Sequence, residues 1–309
     1  MLGTLKAVVM QRAAQKSARA AIGWLGEHQS SFRIAGMASE TLPWQIKPVS
    51  ELVMMLTVLT RHGVRSRTLD SLTAFALAET EAFDWHDLAA FEPSAATPLA
   101  GLAEFFALHG RPPPFEMEYF DFLRAIDFFE GMDRFPYREM DTAYCYSRIG
   151  IPGQQEKMNL WFGSTAFGRG QSLTRYTLDD LYSLTHAIFY LTDMGRRPLH
   201  GNLPAEMLER LHRELVALTA MLMRADNIDL MGELLLCWIL SGVAPGTRDR
   251  TVFRAGMERV LATVTPDGAV APRNEVKRRS DAGGAGFGEL YHTTLVCAML
   301  FTLAGKRRI

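Results

Sequence analysis

Several ionisable side chains stand at the same depth in apolar helical segments that each end near a glycine. Asp141, His186 and Glu233 each lie nine residues before such a glycine, and Asp229 lies one helical turn before Glu233. Residues four apart share one face of a helix, so Asp229 and Glu233 point the same way. Because ionisable groups on apolar helices are costly to bury without partners, these residues are candidate functional groups.

Further polar residues extend this set. Tyr182 lies one turn before His186, and matching the segment LVCAML to LLCWIL places Tyr291, His292 and Thr293 at the equivalent turn of the last apolar helix. The candidate catalytic residues are His186, Glu233, His292, Asp229 and Asp141. The candidate substrate-binding residues are Tyr182, Tyr291 and Trp161.

These residue types support three interpretations. They could bind a divalent metal, with His186, Glu233 and His292 as candidate ligands. They could exchange protons with a substrate as general acid and base. They could also form hydrogen bonds that only hold helices together. No HExxH motif decides between these options, so the cofactor is unknown and a divalent metal is one open option.

The helices that would position these residues follow a repeat. Apolar runs end at six glycines whose spacings are 47, 40, 45, 47 and 63 residues: Gly63, Gly110, Gly150, Gly195, Gly242 and Gly305. Glycine is favoured just past a helix because the backbone turns left-handed there. Between most of these runs lies a second helical segment with a more mixed surface. The sequence therefore predicts an all-α protein of repeated helix pairs of about 45 residues.

Six such pairs favour closure into an (α/α)6 toroid, with the apolar helices as the inner ring and an open HEAT-like solenoid as the alternative. We expect a single all-helical domain over residues 1–309. Two stretches break the period, and we expect inserted loops at 151–175 and 266–288. Long loops in compact domains are often functional, so a lid over a site and a surface loop both remain open for these stretches.

The composition argues against two classes of partner, nucleic acid and membranes. The formal net charge is −1, which argues against binding nucleic acid by bulk electrostatics. No apolar run reaches the roughly 18 residues that a membrane span requires, so we expect no membrane partner. The three cysteines, Cys145, Cys237 and Cys297, lie far apart without a CxxC pair. That usage indicates a reducing, cytoplasmic setting.

The repeat resembles the (α/α)6 toroid superfold, which includes glycoside hydrolases, polysaccharide lyases, terpene cyclases and lanthipeptide cyclases. The resemblance covers the spacing of residues 50–305. It departs from the lanthipeptide cyclases, since no histidine adjoins a cysteine here, and from terpene synthases, since DDLYS at 179–183 lacks the last acid of DDxxD. The stretches YSLTHAIFYLTDMG, DLMGELLLCWIL and YHTTLVCAML resemble uncharacterised helical bacterial proteins of natural-product pathways. No family residue roles carry over.

Two functions from different classes follow. The first is an enzyme of specialised metabolism that holds a small organic or peptide-derived substrate in a central cavity. In it His186 and His292 act as acid, base or ligand, and the carboxylates orient them. The second is a non-catalytic helical-repeat scaffold that binds a protein partner. A deep polar pocket would favour the enzyme, and a broad apolar groove would favour the scaffold.

Overall fold

The computed structural model describes residues 2–37, 43–86, 88, 95–128, 134–201, 203–242 and 247–306. These residues form 13 α-helices joined by turns and short 3-10 segments, and within them the only β-type pairing is an isolated antiparallel bridge between Val264 and Val270. The all-α prediction is confirmed. In chain order the helices are α1 (Leu2–Glu27), α2 (Pro43–Arg61), α3 (Arg67–Glu81), α4 (Ala96–Leu108), α5 (Glu118–Ala125), α6 (Pro136–Arg148), α7 (Gln154–Ser164), α8 (Leu178–Leu191), α9 (Ala205–Ala225), α10 (Ile228–Leu240), α11 (Thr247–Leu261), α12 (Asn274–Asp281) and α13 (Phe287–Lys306).

The chain divides into two compact units. We call Phe32–Tyr190 the central unit, and Met1–Ser31 together with Leu191–Ile309 the terminal unit. In the central unit α2 contacts α3 and α4, α4 contacts α6, and α6 contacts α7. In the terminal unit α13 packs against both α1 and α10, while α9, α10 and α11 contact one another. A single domain over 1–309 and the toroid arrangement both stay predictions.

The predicted helix ends are mostly confirmed. Five of the six expected glycines have positive φ, between 65° and 85°: Gly63, Gly110, Gly150, Gly195 and Gly242. An L-side chain would be strained there, which is why glycine ends these helices. Side chains also cap the start of a helix. Thr177 and Asp180 each accept from the other's backbone N–H, a capping-box arrangement at the start of α8.

Gly305 departs from this pattern, because it lies inside α13, which continues to Lys306. The side-chain amides of Gln11 and Gln15 on α1 both donate to its carbonyl oxygen, at 2.9 Å each. A Cβ at this position would lie 2.8 Å from Cγ of Gln15. Glycine is therefore needed here for the close approach of α1 to α13, and the prediction of a helix end was wrong.

The two expected loops were also predicted wrongly, because each contains a helix. Residues 151–175 include α7, which packs on α6. Residues 266–288 include α12 and the tight turn at Gly268, whose φ is +105°. A Cβ on Gly268 would lie 2.5 Å from the carbonyl oxygen of Ala20, and Asp267 accepts a hydrogen bond from Trp24 at 3.1 Å. The start of the second stretch is thus fixed against α1.

One helix is long and apolar enough to cross a membrane by length and composition alone, within the part of the chain that the structure describes. It is α13, and 78 % of its apolar stretch is buried. The expectation that no apolar run reaches such a length therefore needs correcting for α13. Its burial against α1 and α10 is what a core helix of a globular unit shows.

Candidate functional site: an Asp–Glu–His cluster between α10 and α13

Three of the predicted residues meet at the contact between α10 and α13. One ligand atom from each of Asp229, Glu233 and His292 lies within 4.8 Å of the others. Nε2 of His292 is 3.7 Å from Oδ1 of Asp229 and 3.9 Å from Oε1 of Glu233. Asp229, Glu233 and His292 thus lie together within the terminal unit, and their functional role stays a prediction.

The cluster is graded from buried to accessible. The side chain of Glu233 is 3 % exposed, that of Asp229 is 15 % exposed, and that of His292 is 34 % exposed. Eleven of the other residues of α10 are buried as well, which makes the surroundings of Glu233 strongly apolar. A buried carboxylate in such surroundings needs a positive partner, and the imidazole on the accessible side leaves room for a further ligand.

Local sequence explains the positions of these side chains. The side chain of Asn227 caps α10 by accepting from the backbone N–H of Leu230 at 3.1 Å. Asp229 then falls in the first helical turn, where the helix dipole favours negative charge. Glu233 follows one turn later on the same face. The hydroxyl of Thr293 donates to Oδ1 of Asp229 at 2.7 Å, which fixes that carboxylate against α13.

The two helices approach closely because of a glycine. Gly232 lies beside Glu233, and a Cβ there would be 3.1 Å from Sγ of Cys297 and 3.5 Å from Cγ1 of Val296. A larger residue would push α10 and α13 apart. The glycine therefore sets the separation across which the carboxylates of α10 face the imidazole of α13.

Cys237 and Cys297 lie near the cluster but remain thiols. Both are fully buried, and burial followed by the nearby charge of Glu233 raises the pKa of Cys237 well above its ordinary value. Burial and then the charge of Asp229 raise the pKa of Cys297 in the same way. Both side chains are buried in the core, and neither belongs to the group of described residues whose ligand atoms come together.

Tyr291 adjoins the cluster as part of an aromatic stack. Its ring lies 5.1 Å from that of Phe287, and the Phe287 ring lies 5.8 Å from that of Trp24, with interplanar angles of 15° and 9°. The Tyr291 ring meets the His292 ring edge-on at 6.3 Å. Tyr291 is 9 % exposed and packs within this stack. Its role in binding substrate stays a prediction.

The remaining predicted residues belong to the central unit. Nδ1 of His186 lies 2.8 Å from the backbone carbonyl oxygen of Tyr182, which accepts its hydrogen and leaves Nε2 as the basic nitrogen. The ring of His186 lies 5.5 Å from that of Tyr137. Asp141 lies on α6. This helix also contacts α8 through the stacked rings of Tyr144 and Tyr190, whose centroids are 5.2 Å apart.

Asp141 is held by neighbours of its own. It lies 3.8 Å from Sγ of Cys145 and 3.9 Å from the guanidinium of Arg138, and it is hydrogen-bonded to Tyr190. Burial, followed by the charge of Asp141, raises the pKa of both Tyr190 and Cys145 well above their ordinary values. The central unit thus has a separate polar cluster, in which Asp141 is a hydrogen-bond acceptor. The convergence of Asp141 with Asp229, Glu233 and His292 stays a prediction.

Trp161 lies on α7 and lines a cleft of about 170 Å³ in the central unit. The same cleft is lined by Glu139, Lys157 and Leu160. Its predicted role in substrate binding stays a prediction. The sequence placed Thr293 beside His292 without a role, and it missed Tyr190 as a partner of Asp141. Tyr190 could have been found as the residue one turn after His186 on the same face.

The spacing of the Asp–Glu–His cluster suits a divalent transition metal. Metal–ligand bonds of about 2.0–2.2 Å separate neighbouring ligand atoms by roughly 3.0–3.6 Å. The 3.7 Å and 3.9 Å distances from Nε2 of His292 are slightly wider, and all three ligand atoms lie within 4.8 Å of one another. One imidazole and two carboxylates suit Zn²⁺, Mn²⁺ or Fe²⁺, and three protein ligands leave a coordination position for substrate or water.

The fold and the cluster together define an all-helical protein with a candidate cation site in its terminal unit. Comparison with known families shows which family the chain belongs to. A family model described as a domain of unknown function, DUF6895, matches residues 18–302. The chain belongs to this family, and the match includes every residue of the cluster. No curated protein and no solved structure matches the chain.

Proposed function

We propose that the protein is a metal-dependent enzyme whose metal is held by Asp229, Glu233 and His292. The observation that carries the proposal is the convergence of one imidazole and two carboxylates, within 4.8 Å, on helices that are otherwise apolar. The buried Glu233 supplies negative charge in a low-dielectric setting, and the partly exposed His292 marks the accessible side. A bound divalent metal would polarise a substrate oxygen or activate a water there.

The substrate in this proposal is a small organic or peptide-derived molecule of specialised metabolism, in a cytoplasmic protein of bacterial type. The resemblance of the stretches YSLTHAIFYLTDMG, DLMGELLLCWIL and YHTTLVCAML to helical bacterial proteins of natural-product pathways supports this substrate class. An (α/α)6 toroid with a central cavity is the arrangement we propose around it, and the helix order and the glycine-ended inner helices support that arrangement. The metal site itself lies within one unit and does not depend on ring closure.

The first test measures metal content. We expect elemental analysis of the purified protein to find about one Zn²⁺, Mn²⁺ or Fe²⁺ per chain. Glu233→Gln and His292→Gln should lose it. His186→Gln is the matched control and should leave the metal content unchanged, because His186 is not in the group of described residues whose ligand atoms come together. Equal metal content in all three variants would overturn the proposal.

A second test separates a catalytic from a structural metal. The metal-free protein is loaded with Co²⁺, whose visible spectrum reports its ligands, and acetohydroxamate is added as a probe for an open coordination position. A catalytic site should show a changed spectrum, because it keeps a position for an external ligand. A spectrum unaffected by the probe would leave a structural metal and remove the enzyme proposal.

A protein-binding scaffold is the second candidate. Exposed apolar side chains in the central unit favour it: Leu160 is 67 % exposed, and Phe122 and Phe135 are 59 % exposed each. Large apolar groups on a surface often mark contacts with other proteins. Absence of metal from the wild type, combined with partner binding that Leu160→Glu abolishes, would favour this candidate.

A further inference from the structure

A cleft in the central unit opens between α2, α3 and the end of α4. Its volume is about 240 Å³, comparable with roughly eight water molecules at ~30 Å³ each. Four leucines form much of its wall: Leu56, Leu59, Leu69 and Leu77. A volume of this size suits a ligand with on the order of ten non-hydrogen atoms, and the leucines suit one with an aliphatic part.

Two opposite charges line the same cleft. Arg65 and Asp70 are both exposed, and neither forms a salt bridge or a side-chain hydrogen bond with any residue that the structure describes. Unlike many charged neighbours, they do not neutralise each other. A ligand that carries both charges would satisfy both side chains at once.

His109 lines the cleft beside these two charges. Its ring is half-buried, packs edge-on against Phe105, and keeps Nε2 buried without a hydrogen-bond partner among the described residues. Burial and then the charge of Arg65 lower the pKa of His109. The imidazole is therefore neutral near pH 7 and adds no charge to the cleft. Because the charge of Arg65 affects the pKa of His109, a ligand that neutralises Arg65 should change that pKa.

We propose that this cleft binds a free α-amino acid with an aliphatic side chain. Its carboxylate contacts Arg65, its ammonium group contacts Asp70, and its side chain packs on the leucines. A simple anion would face the negative charge of Asp70, and a simple amine would face Arg65. An uncharged apolar molecule would leave both charges unpaired. The zwitterion is the ligand class that meets all three features of the cleft, and this inference is independent of the proposed metal enzyme.

The probe for the test is L-leucine, titrated into the full-length protein by calorimetry. We expect a Kd on the order of 1 mM. The comparison ligands are 4-methylpentanoate, which lacks the amino group, and 3-methylbutylamine, which lacks the carboxylate. Each should bind about tenfold more weakly, because each loses one charge-assisted contact. Equal binding of either comparison ligand would overturn the zwitterion proposal.

Variants test the position of the site. Arg65→Gln and Asp70→Asn should each weaken L-leucine binding about tenfold, and Ala74→Trp, at an exposed lining position, should block it. Arg67→Gln is the matched control, since Arg67 is exposed on the same helix but does not line the cleft. Binding of L-leucine should also raise the pKa of His109 in an NMR titration. No binding at about 20 mM L-leucine, or binding that survives all three cleft variants, would refute the proposal.

Discussion

The hydroxyl of Thr293 donates to Oδ1 of Asp229 across 2.7 Å, so a residue of α13 fixes a carboxylate of α10 beside His292. Groups that orient metal ligands typically change metal affinity by about 10- to 100-fold. We therefore expect Thr293→Val to weaken Zn²⁺ binding about tenfold, measured by competition with a chelator.

The matched control for this change lies on the same helix. Oγ1 of Thr302 is buried without a hydrogen-bond partner among the described residues. Thr302→Val removes a hydroxyl of the same type without touching Asp229, so metal affinity should stay unchanged. Equal loss of affinity in both variants would mean that α13 responds to any threonine change and would remove Thr293 from the site.

Gly232→Ala should damage both stability and metal binding. The added methyl would lie 3.1 Å from Sγ of Cys297, so α10 and α13 must separate slightly. We expect a loss of about 1–2 kcal/mol in the free energy of unfolding, measured by urea denaturation. Gly163→Ala in α7 is the control, because nothing lies within 4 Å of its Cβ and alanine favours a helix.

Cys297→Ala offers a rescue for the same change. Adding it to Gly232→Ala removes the contacted sulfur, so the double variant should regain part of the lost metal affinity although the cavity lowers stability. No recovery of metal binding in the double variant would show that the separation of the two helices does not control the site.

Stability should fall below pH 6.5 partly because of His109. Burial, followed by the charge of Arg65, lowers its pKa in the folded protein. As the pH falls below the ordinary value of about 6.5, the unfolded chain takes up a proton that the folded chain resists, so the folded state loses stability. His109→Gln should flatten the dependence of the unfolding free energy on pH between about 7 and 5. An unchanged slope would contradict this.

Arg134 and Glu139 form a double hydrogen-bonded ion pair at 2.8 and 2.7 Å, with side chains 16 % and 9 % exposed. Removing one partner leaves the other charge partly buried. We expect Glu139→Ala to cost about 2–4 kcal/mol of unfolding free energy. Asp121→Ala breaks the exposed pair with Arg124 and should cost less than about 0.5 kcal/mol. Similar losses in both would contradict the role of burial.

The helices were largely predictable because local rules dominate them. Glycine after an apolar run predicted the ends of five helices, and the Thr177–Asp180 capping box predicted the start of α8. Gly305 followed a different rule, the close approach of α1, which depends on residues almost the whole chain away. The helices within 151–175 and 266–288 were missed because their apolar pattern is weak.

The site was predictable in part for a similar reason. Asp229 and Glu233 share a face by helix periodicity, and aligning the apolar segments placed His292 at the equivalent turn of α13. The role of Gly232 and the hydrogen bond from Thr293 depend on the distance between two helices, which no periodicity contains. His186 and Asp141 fit the same register and belong to the central unit, so their convergence with this cluster stays a prediction.

The hydrogen bonds from Gln11 and Gln15 to the carbonyl oxygen of Gly305 have a consequence for folding during synthesis. The terminal unit combines segments from opposite ends of the described chain, and α1 finds its main packing partner only in α13. On a ribosome, α1 emerges nearly 300 residues before the end of α13 has been made. At about 5–20 residues per second, that wait lasts roughly 15 seconds to a minute. The central unit, being continuous in sequence, can fold during that wait, before the face of α1 that carries Ala21, Trp24 and Leu25 is buried.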